Sequence, residues 1–596
     1  MFVNESLDYP LPLAANPYRV FNRNYKGVSV PVDPNRSFRY GTAGFRYDAD
    51  VLQFIANRAG EFFAHYANQR NGHTYGVMVT ASHNKGGDNG LKFVGPYGGP
   101  LEDEAIKMME EVVNYPDEEY MRMGSLATAV KENLGRHLGE VDFERVYNPN
   151  AKRVSEASCI LVGYDTRQSS RFLADAVIQG IFRALPGFEV ASTATPVTTP
   201  QLHWLVQYPI LSGGRSGPEI DKAMQPLLNP VRNISEFTED VYVDCANGVG
   251  ALLMPKYISE LNSPRNVSVL NANVGDDATL NNRCGADYVK SNHLYPQGCA
   301  DFPPMTRIAS LDGDADRMLY FTKKENGEIF LFDGDHLNKL FTEFIEKRLD
   351  ALPSCKLGTV FTGYSDMVMK QWAADLKVGG VVANTGVANL IKKANAFDIA
   401  VYFEPNGHGS VIVKKDVLRE IESKAKENPR ARELLNFLEL VNPAIGDGVA
   451  NFFATEYILS VEGLTTRSWM EQTFKPSNTQ LSAIRVPDKD VFLVASEDET
   501  IWLAPGPLKD ACKELWQFLG TIFGDFTYFV RPSGTENVVR LFLQTSNDHT
   551  NNLNVINSVF EYVISNYKPS EEQTVDQIVE SAKAFYASLE TAQPGN

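Results

Sequence analysis

Asp312-Gly313-Asp314-Ala315-Asp316-Arg317 constrains this chain more than any other stretch. Ile308-Ala309-Ser310-Leu311 precedes it and Met318-Leu319-Tyr320-Phe321 follows, a pattern that predicts a loop between two apolar strands. Alternate side chains on an extended segment share a face, so the three carboxylates converge. Like charges a few ångströms apart repel by about 1 kcal/mol in water and several times more in a partly buried site. A fold that tolerates them has to supply a cation. Hard oxygen donors with few other ligands suit Mg2+, which also takes phosphate oxygens. An EF-hand is excluded, because Gly313 stands second in the loop rather than sixth and no Glu closes it. Without its apolar flanks the stretch also fits an acidic exposed turn.

Four other loops carry chemistry. Thr80-Ala81-Ser82-His83-Asn84 follows the apolar run Val77-Met78-Val79 and precedes the turn Asp88-Asn89-Gly90. A hydroxyl at the end of a buried strand is held in place, as a group that carries a substituent and hands it on must be. Tyr40-Gly41-Thr42-Ala43-Gly44-Phe45-Arg46 reads as a tight loop from which Arg46 projects. Apolar residues 400–403 run into Glu404-Pro405-Asn406-Gly407-His408-Gly409-Ser410, where Glu404, Asn406 and His408 suit sugar hydroxyls. Residues 527–530 lead into Arg531-Pro532-Ser533-Gly534-Thr535-Glu536, with Arg540 beyond, a cradle for an anion. Taken alone, each also fits an ordinary polar turn. Taken together they supply a nucleophile, a metal triad, a sugar loop and a phosphate cradle.

The 596 residues, 43% hydrophobic, suffice for about four domains. Strand-like runs alternate with helical periodicity, the pattern of α/β domains. Ile160-Leu161-Val162-Gly163 before Tyr164-Asp165-Thr166-Arg167 and Ser169-Ser170 is a strand–loop–helix unit, and residues 241–250 repeat the design. Gly248-Val249-Gly250 lacks the third glycine of a dinucleotide fingerprint, so that reading is rejected. Pro196 and Thr198-Thr199-Pro200 read as a crossover between domains, residues 207–240 as a surface linker, and 463–490 as an irregular hinge. Residues 420–445 read as helical. The last helix has Val575, Ile578, Val579, Ala582, Tyr586 and Leu589 on one face, after a capping box at Ser570 and Gln573. A net charge of -18 without basic blocks argues against nucleic acid or an anionic membrane as partner. No run approaches the ~18–20 apolar residues of a membrane span, and the first ten residues lack a secretory pattern. Six scattered cysteines predict reduced thiols in a cytoplasmic protein.

TASHN (80–84) with DNGLK (88–92), YGTAGFR (40–46), DGDADR (312–317) and RPSGTE (531–536) resemble the signature loops of the α-D-phosphohexomutases over nearly the full length. FEPNGHGS (403–410), VDCANGVGAL (243–252), CGADYVKS (284–291) and FVRPSGTEN (529–537) are similar to the phosphoacetylglucosamine mutase branch. The resemblance implies three similar mixed-sheet α/β domains and a C-terminal α+β domain around a central cleft. The expected divisions are 1–200 with the phosphoserine loop, 201–330 with the metal loop, 331–475 with the sugar loop and 476–596 with the phosphate loop. It implies interconversion of N-acetylglucosamine 6-phosphate and 1-phosphate, on the route to UDP-N-acetylglucosamine, through phosphorylated Ser82 and a sugar bisphosphate that also serves as activator. Mg2+ would lie on Asp312, Asp314, Asp316 and Ser82, with Arg46 and Arg317 beside it. Glu404, Pro405, Asn406, Gly407 and His408 would grip the sugar, and Arg531, Pro532, Ser533, Gly534, Thr535 and Arg540 the phosphate not being transferred. The family usually has Lys after Thr-Gly-Val in the third domain, where this chain has Ala388. His83, Lys92 or a lysine such as Lys392 is then the candidate proton carrier. The expected partner is a small sugar phosphate bound to a monomer. Competing readings are a mutase of other sugar preference and an inactive sugar-phosphate-binding paralogue.

Overall fold

The computed structural model describes residues 2–3, 17–41, 44–69, 73–118, 120, 158–193, 195–207, 217–263, 266–352, 354–375, 379–533, 538–545, 550–569 and 571–592. The chain divides into two compact units, one of residues 1–355 with 406–469 and one of 356–405 with 470–596.

The first unit holds two mixed sheets. In one, strands Thr74–Val79, Cys159–Tyr164 and Glu189–Thr193 run parallel, and Asp88–Val94 and Phe45–Asp48 continue it antiparallel. In the other, Val241–Asp244 lies parallel between Val267–Leu270 and Arg307–Leu311, and Met318–Lys323 and Ile329–Phe332 extend it antiparallel. The central strands are buried apart from Thr74, which is why they read as apolar runs. In each sheet, loops that leave the carboxyl ends of parallel strands gather along one edge. The Ser82 loop follows Thr74–Val79, the Asp165 loop follows Cys159–Tyr164, and the acidic loop follows Arg307–Leu311.

Helices Gln53–Gln69 and Ser170–Ala184 cover the first sheet and touch backbone to backbone. A Cβ added at Gly180 would lie 2.0 Å from the Asn57 carbonyl oxygen, and one at Gly60 would lie 2.4 Å from that of Val177. Phe54, Phe62, Phe63 and Tyr75 fill the core beneath.

Two expectations from the sequence change. Residues 217–228, read as linker, form the helix Gly217–Leu228 with Pro226 inside it, and a 3-10 turn Asn229–Asn233 follows. Ala223, Met224, Leu227, Leu228 and Val231 are buried at helical spacing, and that burial offsets the cost of the interior proline. The expected hinge at 463–490 contains helix Thr466–Gln472 and an eight-residue strand, Asn478–Arg485. Its apolar residues are too few to betray a strand because one face is solvated. Thr199 begins the helix Thr199–Gln207 of the first unit. The helical reading of 420–445 holds as Lys415–Lys424 and Pro429–Leu440, the second capped by the Asn428 side chain.

In the second unit, Leu357–Thr362 lies parallel between Gly379–Ala383 and Ile399–Phe403. An antiparallel sheet follows, with Val538–Thr545 between Asn478–Arg485 and Thr527–Pro532. Helices Gly506–Phe523, Thr550–Asn566 and Val575–Ala592 pack with it into one core. Ile578, Val579, Ala582 and Tyr586 are buried there, as their periodicity predicts; Ser570 of the expected capping box lies outside the described residues. Among the described residues no helix is long and apolar enough to cross a membrane. All six cysteines are free thiols.

Gly180→Val should push the two helices apart and cost about 1–3 kcal/mol. Urea unfolding reads this as a lowered midpoint; an unchanged midpoint contradicts the close crossing.

Candidate active site

Ser82 and the acidic loop meet inside the first unit. The chain leaves strand Thr74–Val79 and turns through Ser82 in the left-handed region, with φ of 54°. A serine held there is strained, and its surroundings must impose the conformation. The Ser82 N–H donates to Thr80 Oγ1 at 2.9 Å, and the Thr80 hydroxyl donates to Asp165 Oδ2 at 2.7 Å. Ser82 Oγ donates to Asp312 Oδ2 at 2.8 Å. One carboxylate oxygen from each of Asp312, Asp314 and Asp316 lies within 4.8 Å of the others, and all three residues are buried. Gly313 lets the two loops close on each other, because a Cβ there would sit 2.6 Å from the Ser82 carbonyl oxygen.

The carboxylate oxygens are divided between partners. Lys92 Nζ donates to Asp314 Oδ2 at 2.7 Å and to Asp316 Oδ2 at 2.8 Å. Arg317 N donates to Asp312 Oδ1 at 3.2 Å, and its guanidinium lies 3.9 Å from Asp312 and 3.8 Å from Asp316. Asp314 Oδ1 and Asp316 Oδ1 are buried with no hydrogen-bond partner among the described residues. Buried acceptors without donors are costly unless something positive completes them. Burial, with Asp316 and Asp314 adding to it, pushes Asp312 well above the usual carboxylate range. Burial also pushes Asp314 and Asp316 upward, but the Lys92 ammonium outweighs it and holds both below that range. Burial weakens the Lys92 ammonium too, yet Asp314 and Asp316 more than restore it. The charge of Arg317, then burial and Arg46, keeps the His83 imidazole neutral. Arg46 sits on strand Phe45–Asp48, where a loop was expected, within electrostatic range of all three aspartates.

The acidic loop therefore fits a hard divalent cation. The three acidic side chains face three fixed cations, Lys92, Arg46 and Arg317. A phosphoryl group on Ser82 would add about -1.5 to -2 charges at neutral pH, which a divalent ion at the free Oδ1 atoms would balance.

Several residues that hold this arrangement carry no local signal. Arg167 Nη2 donates to the Ser82 and Asn84 carbonyls at 2.8 and 3.0 Å, and Nη1 to those of Lys85 and Asp88 at 2.7 and 3.2 Å. Asn281 Nδ2 donates to the Ser82 and Asn84 carbonyls at 2.8 and 2.9 Å. Thr199 Oγ1 donates to Asp314 Oδ2 at 2.6 Å. His408, read as a sugar ligand, places Nδ1 2.6 Å from the Asp316 carbonyl, where the ring buttresses the metal loop. Its neighbour Gly407 accepts from Met318 N at 3.3 Å, and Asn406 Oδ1 accepts from His408 N at 2.9 Å.

The second unit gathers its own polar set. Glu404 Oε1 accepts from Gly386 N at 2.9 Å, and Glu499 Oε1 accepts from Thr385 N at 2.9 Å and from the Thr385 hydroxyl. Glu499 also lies 3.7 Å from Arg531, whose Nε donates to Tyr364 OH at 2.8 Å. Arg531 and Arg540 stand directly opposite each other on paired strands. Like charges so placed repel, which suits an anion between them. Lys489 Nζ donates to the Ser533 carbonyl at 2.7 Å and brings a further cation to this loop. Pro532 ends the strand Thr527–Pro532, and Pro405 closes the first segment of this unit. Gly534 and Thr535 lie outside the described residues. Ala388 is exposed in the first turn of helix Val387–Ala394.

Residues 234–319 match the family described as "Phosphoacetylglucosamine mutase AMG1, domain II" and residues 333–464 match its domain III. Residues 55–119 and 143–214 match "Phosphoglucomutase/phosphomannomutase, alpha/beta/alpha domain I". The mouse phosphoacetylglucosamine mutase is 34% identical over 530 residues, 86% of this chain and 91% of that protein. The chain belongs to the phosphoacetylglucosamine mutase family. The Arabidopsis thaliana member of the family is 32% identical over 87% of this chain and 93% of its own. A crystal structure of N-acetylglucosamine-phosphate mutase in its substrate complex superposes with a TM-score of 0.77 at 28% identity, covering 89% of this chain and 97% of that one. The Aspergillus fumigatus phosphoacetylglucosamine mutase with GlcNAc-6P and magnesium gives 0.76 at 28% identity, over 89% and 96%.

Mg2+ at a hundredfold excess over its dissociation constant should stabilise the protein by about 2.7 kcal/mol, seen as a raised melting temperature. Asp314→Ala should abolish the rise. A wild-type protein whose melting temperature ignores Mg2+ contradicts a metal site here.

Proposed function

We propose that this protein interconverts N-acetylglucosamine 6-phosphate and N-acetylglucosamine 1-phosphate, through a phosphoserine at Ser82 and a sugar bisphosphate. The observation that carries this reading is the hydrogen bond from Ser82 Oγ to a triplet of buried carboxylates that retains two free acceptor oxygens. Family membership supports it, as do the ligands of the relatives, GlcNAc-6P with magnesium in one complex and glucose 1,6-bisphosphate in another.

In the forward direction the free sugar hydroxyl attacks the phosphorus on Ser82, and the P–Oγ bond breaks. The hydroxyl loses a proton and Ser82 Oγ gains one, so the transfer is proton-neutral. The bisphosphate turns over, and Ser82 takes the other phosphoryl by the same step in reverse. Asp312, Asp314 and Asp316, with an oxygen of Ser82, would hold Mg2+, which would offset charge on the transferring group. Lys92 is a fixed counter-charge to Asp314 and Asp316, and its ammonium is too firmly held to act as a base. Arg46 and Arg317 face the transferring phosphoryl. Neutral His83 donates to it or accepts from the sugar. Glu404, with Pro405, Asn406 and Gly407, sets the sugar, while His408 acts through the Asp316 carbonyl. Arg531, Ser533, Gly534, Thr535 and Arg540, beside Pro532, hold the second phosphate.

The same reading divides the chain into domains 1–200, 201–330, 331–475 and 476–596, and takes it as a cytoplasmic monomer. The six free thiols support a reducing compartment. The intact acidic triplet weighs against an inactive paralogue that Ala388 alone suggests.

Purified protein with Mg2+ and catalytic glucose 1,6-bisphosphate should convert N-acetylglucosamine 6-phosphate to the 1-phosphate. Ser82→Ala should lower kcat by roughly three orders of magnitude or more; a mutant that keeps wild-type turnover rules out the phosphoserine route. N-acetylglucosamine phosphates should outcompete glucose and mannose phosphates, and the reverse order points to the alternative sugar preference.

A further inference from the structure

Behind the acidic loop, the first unit contains a separate cavity of about 620 Å3, a size typical of small-molecule sites, which run roughly 300–1,000 Å3. It lies between the segment that enters helix Thr199–Gln207, helix Gly217–Leu228 and helix Gly250–Glu260. Val197, Met224, Leu228, Val249 and Leu253 form apolar, buried walls, and Leu252 at the mouth is 44% exposed. None of these residues belongs to the site described above.

Two polar groups in the cavity await partners. Thr193 is 2% exposed, yet its Oγ1 has no hydrogen-bond partner among the described residues. A buried hydroxyl left this way costs free energy that a ligand acceptor or donor would recover. Lys256 stands at the rim, exposed and without an ion-pair partner among the described residues. The neighbouring Glu260 is already paired with Arg232, so the uncompensated charge is positive.

We infer that this cavity binds a small organic anion with an apolar body. Its acidic group meets Lys256, and a polar atom of the ligand meets Thr193 Oγ1. Filling the cavity is linked to the metal loop, because both walls are bonded to it. On one side Thr199 donates from N to the Asp314 carbonyl at 3.2 Å and from Oγ1 to the Asp314 carboxylate at 2.6 Å. Gln201, which lines the cavity, fixes that turn by accepting from Thr198 N at 2.9 Å. On the other side Val249 N donates to the Gly313 carbonyl at 3.0 Å, and a Cβ at Gly248 would lie 2.4 Å from the same oxygen. A ligand that moves either wall moves a residue of the acidic loop. Coupling of this kind is reciprocal: the factor by which Mg2+ changes ligand affinity equals the factor by which the ligand changes Mg2+ affinity.

The full chain titrated with 1-anilinonaphthalene-8-sulfonate, an aryl body bearing one anionic group, tests this. Lys256→Glu should weaken binding by about tenfold or more, and Thr193→Val by a few-fold, while both variants still bind Mg2+. In wild-type protein the affinity for the probe should change on adding saturating Mg2+, and calorimetric Mg2+ affinity should change by the same factor on adding the probe. Equal probe affinity in wild type and Lys256→Glu overturns the site. A probe affinity unmoved by Mg2+, in protein that binds Mg2+, overturns the linkage. Failure to bind Mg2+ at all removes the linkage together with the metal reading, and the Lys256 comparison still decides the cavity.

Discussion

Three buried carboxylates cannot share a few ångströms of protein interior unless their charge is met, and the first unit is built around meeting it. Lys92 reaches Asp314 and Asp316 from the strand beside the Ser82 loop, and Arg317 follows the triplet directly. Ser82 donates its hydroxyl to Asp312, and Thr199 gives another to Asp314. Among the described residues, the Oδ1 atoms of Asp314 and Asp316 are left without a hydrogen bond, the latter 3.8 Å from the Arg317 guanidinium. The same charge count that makes the triplet tolerable makes a phosphorylated Ser82 tolerable only with a divalent ion. On the proposed reading, metal and phosphoserine would be two parts of one electrostatic balance, in a chain whose net charge of -18 otherwise repels an anion.

Geometry is imposed from behind. Ser82 stays in the left-handed region because Arg167 and Asn281 hold its carbonyl and that of Asn84 from two sides. Asp165 anchors both Thr80 and the Arg167 guanidinium, so one buried carboxylate fixes the serine's N–H and carbonyl sides together. Gly313 then brings the acidic loop within van der Waals reach of that serine. Thr80, Asp165 and Arg167 follow strands of the first sheet, and Asn281 and Gly313 come from loops of the second, so the site draws on both sheets of the unit.

The candidate site residues are legible in the sequence because each lies in a short run with its own chemistry. Ser82 sits in TASHN, the carboxylates in DGDADR and the paired arginines in RPSGTE with Arg540. The supports were harder to read. Arg167 and Asn281 touch Ser82 across 85 and 199 residues of chain, and nothing at either position announces the contact. Asp165-Thr166-Arg167 was visible only as a strand-to-helix loop. Thr199 was masked by its prolines, which read as a break where they begin a helix. Lys489 lies in 463–490, whose polarity reads only as a hinge, yet it reaches the Ser533 carbonyl, and Glu499, beyond that stretch, reaches Thr385. Helix Gly217–Leu228 shows the same limit for fold: proline content argued for a linker, and the spacing of its buried apolar residues prevailed.

The most direct test of the account is the mass of the purified protein, with peptide mapping, before and after addition of N-acetylglucosamine 6-phosphate and Mg2+. The account expects one phosphoryl group on Ser82 that leaves on exposure to the sugar phosphate and returns with glucose 1,6-bisphosphate. A protein whose Ser82 is never phosphorylated under either condition contradicts it.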